Sequence, residues 1–131
     1  MDKYDQTLHR VINETDEGIL KWDAVNPASY SNIIVNADRV IRCFRAELTL
    51  KAKKYPLLFI EQKTFQYDDF GNEFEGLSFE LYVLDEQHNL VFPIYDGLVD
   101  RNDLATLANT ISDASTTAKE FFAALFDEDH S

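Results

Sequence analysis

Along residues 100–126, Leu104, Leu107, Ala108, Ile111, Ala114, Ser115, Ala118, Phe121, Phe122 and Leu125 recur at three- and four-residue intervals, the spacing that lines one face of a helix. The pattern predicts one long amphipathic C-terminal helix. Asp100 stands at its N-cap position, and Asp103 adds a carboxylate in the first turn, where the helix dipole favours it. If this helix closes a core, Phe121 or Phe122 is buried, and truncating that residue to alanine costs about 3–5 kcal/mol. A shorter helix is predicted over residues 2–16, with Tyr4, Leu8, Val11, Ile12 and Thr15 inward and Asp5, Arg10, Asn13 and Glu14 toward water. Gly18 follows where a helix C-terminus favours a residue free to adopt positive φ.

Between the two helices the period changes to two. Leu20 and Trp22 alternate with polar neighbours as in a short strand, with Trp22 as a core anchor. Asn26-Pro27 opens a loop, residues 28–31 fit a helical turn, residues 33–35 fit a short strand and residues 36–38 a turn. In residues 39–51, Val40, Phe44, Ala46, Leu48 and Leu50 point one way, interrupted by Arg42, while Ile41, Cys43, Arg45, Glu47 and Thr49 point the other. A charged connection over residues 51–56 leads to a strand at 57–66, and a polar, aromatic segment at 67–76 leads to another at 77–84. Turn-forming residues at 85–89 precede a last strand at 90–95, which Pro93 assigns to a sheet edge. Connections this short favour antiparallel pairing. The expected architecture is therefore a single α+β domain over residues 1–131: a two-layer fold with an antiparallel meander of four to five strands, and both helices packed on one face.

The run Thr15-Asp16-Glu17-Gly18-Ile19-Leu20-Lys21-Trp22, following an amphipathic helix, resembles the opening of many small, uncharacterised bacterial proteins with a T-x-x-G-x-L-x-W pattern. The resemblance implies antiparallel strands and a closing helix across the rest of the chain. The motif is structural, ending a helix and turning the chain into a strand, and it brings no catalytic residues with it.

Charge adds more than composition does. The net charge is −12, but residues 39–63 carry seven basic and two acidic residues, a net of +5, whereas residues 64–100 carry nine acidic residues and no Lys or Arg. Acidity on this scale repels phosphates, which disfavours direct nucleic-acid binding. Seven cations interleaved with Phe44, Tyr55 and Phe59 resemble a nucleic-acid surface only superficially, because alternation sends them to both sheet faces. Arg42, Arg45 and Lys63 are expected to pair with Glu61, Glu75 or Glu80. The single cysteine, Cys43, and an N-terminus without an export pattern fit a reducing cytoplasm, and no apolar run reaches membrane length.

Catalytic chemistry leaves no signature. His9, His88 and His130 are far apart, and one cysteine cannot support a zinc cluster. Asp68, Asp69, Asn72 and Glu73 are dense in oxygen but depart from the calcium-loop pattern, so they read as a solvated loop. Cys43 in a strand interior fits an inert thiol, and no nucleophile elbow, phosphate loop or dinucleotide fingerprint is present. Paired carboxylates such as Glu61 and Glu80 would face each other only if strand register brought them to one side, a distance that the sequence does not give. Neither an enzymatic role nor a cofactor is expected.

What remains is apolar surface. Opposite the helices, the sheet would present Ile41, Leu58, Ile60, Tyr82, Leu84, Val91 and Tyr95, unless a further element such as residues 33–35 covers them. The hairpin at 67–76 adds Tyr67, Phe70 and Phe74 as anchors, with Asp68, Asp69, Glu73 and Glu75 as a charged rim. These seven residues are the candidate partner-binding site. The reading they favour is a non-enzymatic, acidic protein-interaction domain that binds a basic site on a partner protein, as inhibitors, immunity proteins and anti-defence proteins do. One version mimics nucleic acid, its carboxylates replacing phosphates. The alternative is a homodimeric structural or small-ligand-binding domain that buries its second sheet face against another copy.

Overall fold

A computed structural model describes residues 2–114 and 116–129. Ser115, the side chain of Ala118, and His130 lie outside the described residues.

Helix α1 (Lys3–Asp16) begins where the Asp2 carboxylate accepts the Asp5 N–H at 2.9 Å, satisfying one of the donors that a helix start leaves without a partner. Leu8, Val11 and Thr15 form its buried stripe. The helix stops at Gly18, whose φ of +79° swings the chain back so that the N–H groups of Ile19 and Leu20 reach the Glu14 carbonyl. Leu20 then enters the core, and Trp22 folds against α1, its Nε1–H donating to Thr15 Oγ1 at 2.9 Å. The same hydroxyl donates to the Val11 carbonyl at 2.7 Å. Each named position of T-x-x-G-x-L-x-W therefore contributes to one helix-ending turn. Because Leu20 and Trp22 face the helix, strand β1 starts only at Asp23–Ala24.

Strands β2 (Val40–Leu50), β3 (Lys53–Tyr67), β4 (Glu73–Leu84) and β5 (Leu90–Tyr95) complete a five-stranded sheet in the order β1-β2-β3-β4-β5, with every neighbouring pair antiparallel. Pro93 does lie in the edge strand. Beyond it, Asp100 Oδ1 accepts the Asn102 N–H at 2.8 Å and starts α2 (Arg101–Ala114), and α3 (Thr116–Asp129) follows. Helices α1 and α2 cover one sheet face, where Leu8, Val11, Leu104, Leu107 and Ile111 pack with Leu57, Phe59, Leu81 and Ile94. This is the two-layer α+β fold. Among the described residues, no helix is long and apolar enough to cross a membrane.

The second face is not bare. Residues 56–61 of β3 form an unbroken buried run, which an alternating strand can show only if both of its faces are covered. The cover comes from the β1–β2 connection: residues 33–35 form a turn instead of a strand, and Ile34 packs on Cys43, Leu58 and Ile60. Short 3-10 turns at Pro27–Tyr30 and Ala37–Arg39 bracket it. A bulge between Val40 and Arg42 shifts the register. It places Val40 with Cys43 on the second face, contrary to the simple alternation, while Arg42 keeps the helix-facing side of Phe44 and Ala46. There the Arg42 guanidinium pairs with the buried Glu61 carboxylate and donates to Ser112 Oγ of α2 at 2.8 Å.

Two further expectations change. The charged connection at 51–56 shrinks to Lys51 and Ala52, at φ values of 49° and 66°, joining Leu50 directly to its partner Lys53. This is a two-residue hairpin turn in which neither residue is the glycine or asparagine that such turns favour. The C-terminal helix packs only through α2, because Phe121, Phe122, Leu125 and Phe126 of α3 are exposed, Phe121 at 62%. The predicted burial of Phe121 or Phe122 is thus incorrect: the helical period continues past the edge of the core it was expected to cover.

Two stability tests follow from this packing. Ile111→Asp should lower unfolding stability by more than about 3 kcal/mol through a buried unpaired charge, while Phe121→Ala should stay within about 0.5 kcal/mol. Chemical denaturation compares them, and equal losses would mean that α3 belongs to the core. Ala52→Gly should raise the unfolding midpoint by the equivalent of about 0.5–1 kcal/mol, because it removes a positive-φ penalty.

Candidate functional site

Pairing of β2 with β3 ends at Val40–Gln62, and pairing of β4 with β5 ends at Glu80–Tyr95. Strands β3 and β4 nevertheless run on together to Tyr67–Glu73. Residues 63–77 therefore form a two-stranded arm with no flanking strand among the described residues, one edge held where Arg101 Nη2 donates to the Leu77 carbonyl at 2.9 Å. The candidate binding residues lie on this arm and its turn. Phe70 is 89% exposed and Tyr67 69%, and Phe74 is also exposed. Asp69, Glu73 and Glu75 are exposed as well.

Cross-strand register shows which side chains act together, since directly paired residues share a face. Tyr67 pairs with Glu73 and Phe65 with Glu75, all on one face, while Phe74 pairs with Gln66 on the other. The seven residues predicted from sequence thus divide between the arm's two faces and its tip. Phe65 and Leu77 were missed, although both are exposed and share the face of Tyr67. Their spacing of two from Tyr67 and Glu75 was the available signal, concealed because the strand was expected to stop at residue 66.

Asp68 has a different task from its neighbours. Its Oδ1 accepts the N–H groups of Phe70 and Asn72 at 2.9 and 2.8 Å, and its Oδ2 accepts the Asn72 side-chain amide at 3.2 Å. These bonds, the Asn72 backbone N–H foremost, hold its carboxyl below the ordinary carboxylate range. Asp85 builds the β4–β5 turn in the same way, accepting from Gln87 and Asn89 N–H at 2.9 Å. In each turn the fourth residue has positive φ, Gly71 at 80° and His88 at 65°. The oxygen-rich segment is therefore an aspartate-capped turn. Among the described residues, no three His, Cys, Asp or Glu side chains gather as a metal site.

A separate concavity of about 300 Å³ opens on the second sheet face where the arm leaves the sheet. Ile33, Ile34, Val35 and Asn36 wall one side, with Ile60, Gln62, Thr64, Glu80 and Tyr82 across from them and Arg39 and Lys63 also lining it. Glu80 is surrounded by donors: Gln62 Nε2 at 2.9 Å, Ser78 Oγ at 3.3 Å and the Tyr82 hydroxyl. Burial, then the hydrogen bond to Glu80 and its charge, keep the Tyr82 phenol protonated well above its usual range. Thr64 Oγ1 is buried without a hydrogen-bond partner. It lies opposite Gly76, where a Cβ would come within 3.0 Å of it.

The other sequence expectations resolve plainly. Glu61 pairs with Phe79, and Glu80 pairs with Ile60. The two carboxylates therefore point to opposite faces and cannot act as a pair. Of the predicted ion pairs, Arg42–Glu61 forms, Arg45 instead approaches Glu47 at 3.3 Å, and Lys63 has no ion pair among the described residues. Leu58, Ile60 and Leu84 are buried and Tyr82 is half-buried, leaving Ile41 exposed on β2 and Val91 and Tyr95 on β5.

Cys43 is a buried free thiol, and burial pushes its pKa from 9.0 up to about 11. A raised folded pKa means that Cys43's contribution to stability is complete below pH 9.0 and is lost as pH rises through about 11. Absorbance titration of the thiolate should place the folded midpoint near 11, and Cys43 should react with a thiol reagent at neutral pH only on unfolding. No protein-family model, curated protein or solved structure matches this chain.

Proposed function

We propose that this chain is a non-enzymatic protein-interaction domain whose β3–β4 arm docks on a basic surface of a partner protein in the bacterial cytoplasm. The inhibitor, immunity and anti-defence proteins are the functional types to which such a module corresponds. One observation carries the reading: a projecting two-stranded arm holds Tyr67 and Phe70 almost clear of the protein body, beside Asp69, Glu73 and Glu75. Exposed aromatics cost solubility in a free monomer, and they are the side chains most often found as anchors in interfaces. The carboxylates around them supply long-range attraction, which accelerates encounter with a basic surface.

A homodimer is the second reading, and the exposed apolar residues of α3 favour it. The second sheet face is partly occupied by Ile34, whereas α3 exposes Phe121, Phe122, Leu125 and Phe126. A second copy packing on α3 predicts a dimer that dissociates on dilution. A monomer by light scattering across micromolar concentrations removes this reading.

The arm is tested by affinity capture from the native lysate with three forms of the protein: wild type, Asp69→Asn/Glu73→Gln/Glu75→Gln, and Asp16→Asn/Glu17→Gln/Glu86→Gln as a control for acidity away from the arm. Asp68 is left intact because it holds the turn. The expected result is a partner retained by the wild type and the control at low salt, released at high salt, and lost or weakened at least tenfold by the arm variant. A partner captured equally by all three forms would overturn the assignment.

A further inference from the structure

The β3–β4 arm has two edges, and strand register shows what each presents. The Asp68 N–H donates to the Asn72 carbonyl at 3.0 Å, which makes 68–72 a hydrogen-bonded pair. In an antiparallel ladder such pairs alternate with pairs whose backbone groups point away from each other. Gln66–Phe74 and Thr64–Gly76 therefore bond within the arm, whereas Phe65–Glu75 and Tyr67–Glu73 turn their N–H and C=O groups outward. Leu77 obeys the same parity, since its carbonyl is met from outside the arm by Arg101 Nη2. Given the arm as the docking site, the reading on which this rests, we infer that its β4 edge at residues 73–76 takes up one extended, basic segment of the partner as an added antiparallel strand, with cations opposite Glu73 and Glu75.

An unpaired strand edge is a template for another strand, and folded proteins block it with proline, a bulge, a covering element or charge. Among the described residues, pairing with β5 reaches only to Glu80 and the Arg101 contact only to Leu77, while Glu73, Phe74 and Glu75 are exposed. What guards this edge is charge. Antiparallel pairing with the same edge of a second copy would set glutamate against glutamate, which is destabilising, so the edge disfavours its own copy. A strand with lysine or arginine at alternate positions reverses the sign at both sites, because residues two apart share a face, as Glu73 and Glu75 do. The side chain between those cations meets Phe74 on the other face, a position suited to a β-branched residue. The β3 edge offers no such fit. The Ala37–Arg39 turn lies against β3, Arg39 reaches over the Phe65 ring at 5.0 Å, and Lys63 repels a basic strand. In strand addition the main-chain bonds supply affinity and the alternate side chains supply selectivity.

Two acetylated and amidated octapeptides of equal composition and charge test it, one alternating threonine with lysine and one with four threonines followed by four lysines. Binding is measured at low salt by amide NMR titration, and hydrogen exchange is followed residue by residue with and without peptide. In the free protein the Phe74 and Gly76 amides should exchange more slowly than those of Glu73 and Glu75. The alternating peptide should bind saturably, at least tenfold tighter than the block peptide, and should slow exchange at Glu73 and Glu75. Glu75→Gln should weaken it severalfold. Glu75→Pro removes the same charge and also the outward N–H, and should weaken it at least tenfold further; proline is tolerated where that N–H faces solvent, and the unfolding midpoint checks that the variant folds. If it does not fold, the wild-type exchange pattern decides the matter. No binding by either peptide, equal affinities, or binding that leaves the Glu73 and Glu75 amides unprotected would overturn strand addition. The arm as docking site stands or falls separately, on whether the arm variant loses the partner captured from the lysate.

Discussion

The rest of the fold depends on the central strand, β3. Six consecutive buried residues, 56–61, oblige the protein to cover a single strand from both sides. One side is met by α1 and α2, whose leucines and isoleucine enclose Leu57 and Phe59. The other is met by the β1–β2 connection, whose Ile34 is buried among Leu58, Ile60 and Cys43 and whose Val25 and Tyr30 pack, partly buried, against the same cluster. Burying an aliphatic side chain contributes about 1.5–3 kcal/mol. The Arg42–Glu61 pair belongs to the same constraint. Glu61 is the last residue of the buried run, and it is tolerable there because Arg42, directly opposite it on β2, pairs its guanidinium with the carboxylate.

Both helix starts, the meander, and the edge position of β5 were legible in the chain, each through a local rule. Asp2 and Asp100 are caps, short connections dictate antiparallel pairing, and proline favours a sheet edge, a rule that Pro93 follows and Pro56, inside β3, does not. What escaped was non-local or carried by atypical residues. The Lys51-Ala52 turn has positive φ at both residues without glycine or asparagine, so nothing marked it as a tight turn. The bulge at β2 moved Val40 to the opposite face, a one-residue event that alternation cannot foresee. Residues 33–35 have a strand's composition and a plug's role. The stripe in α3 continues the helical period of α2, and nothing in the period itself shows where the sheet beneath it ends.

The candidate site was legible in the same uneven way. Tyr67, Phe70 and Phe74 stood out as aromatics among acids, and all three are exposed. Their distribution over two faces and a tip came only from register, as did the exclusion of a Glu61–Glu80 pair. The cleft was invisible in the sequence because its lining comes from the β1–β2 connection and from β3 and β4, segments that only the folded topology brings together. Of the seven cations in the basic segment, Arg42, Arg45 and Lys54 form ion pairs, while Arg39, Lys51, Lys53 and Lys63 make none among the described residues.

The central claim is that the arm, rather than α3, is where a partner docks. Hydrogen–deuterium exchange with the captured partner bound addresses it directly, because a two-stranded arm without flanking strands should exchange quickly when free. The account predicts partner-induced protection concentrated in residues 65–75, with α3 exchanging as it does in the free protein. Protection over α3 with the arm unchanged would contradict it and would make the exposed face of Phe121, Phe122, Leu125 and Phe126 the docking surface instead.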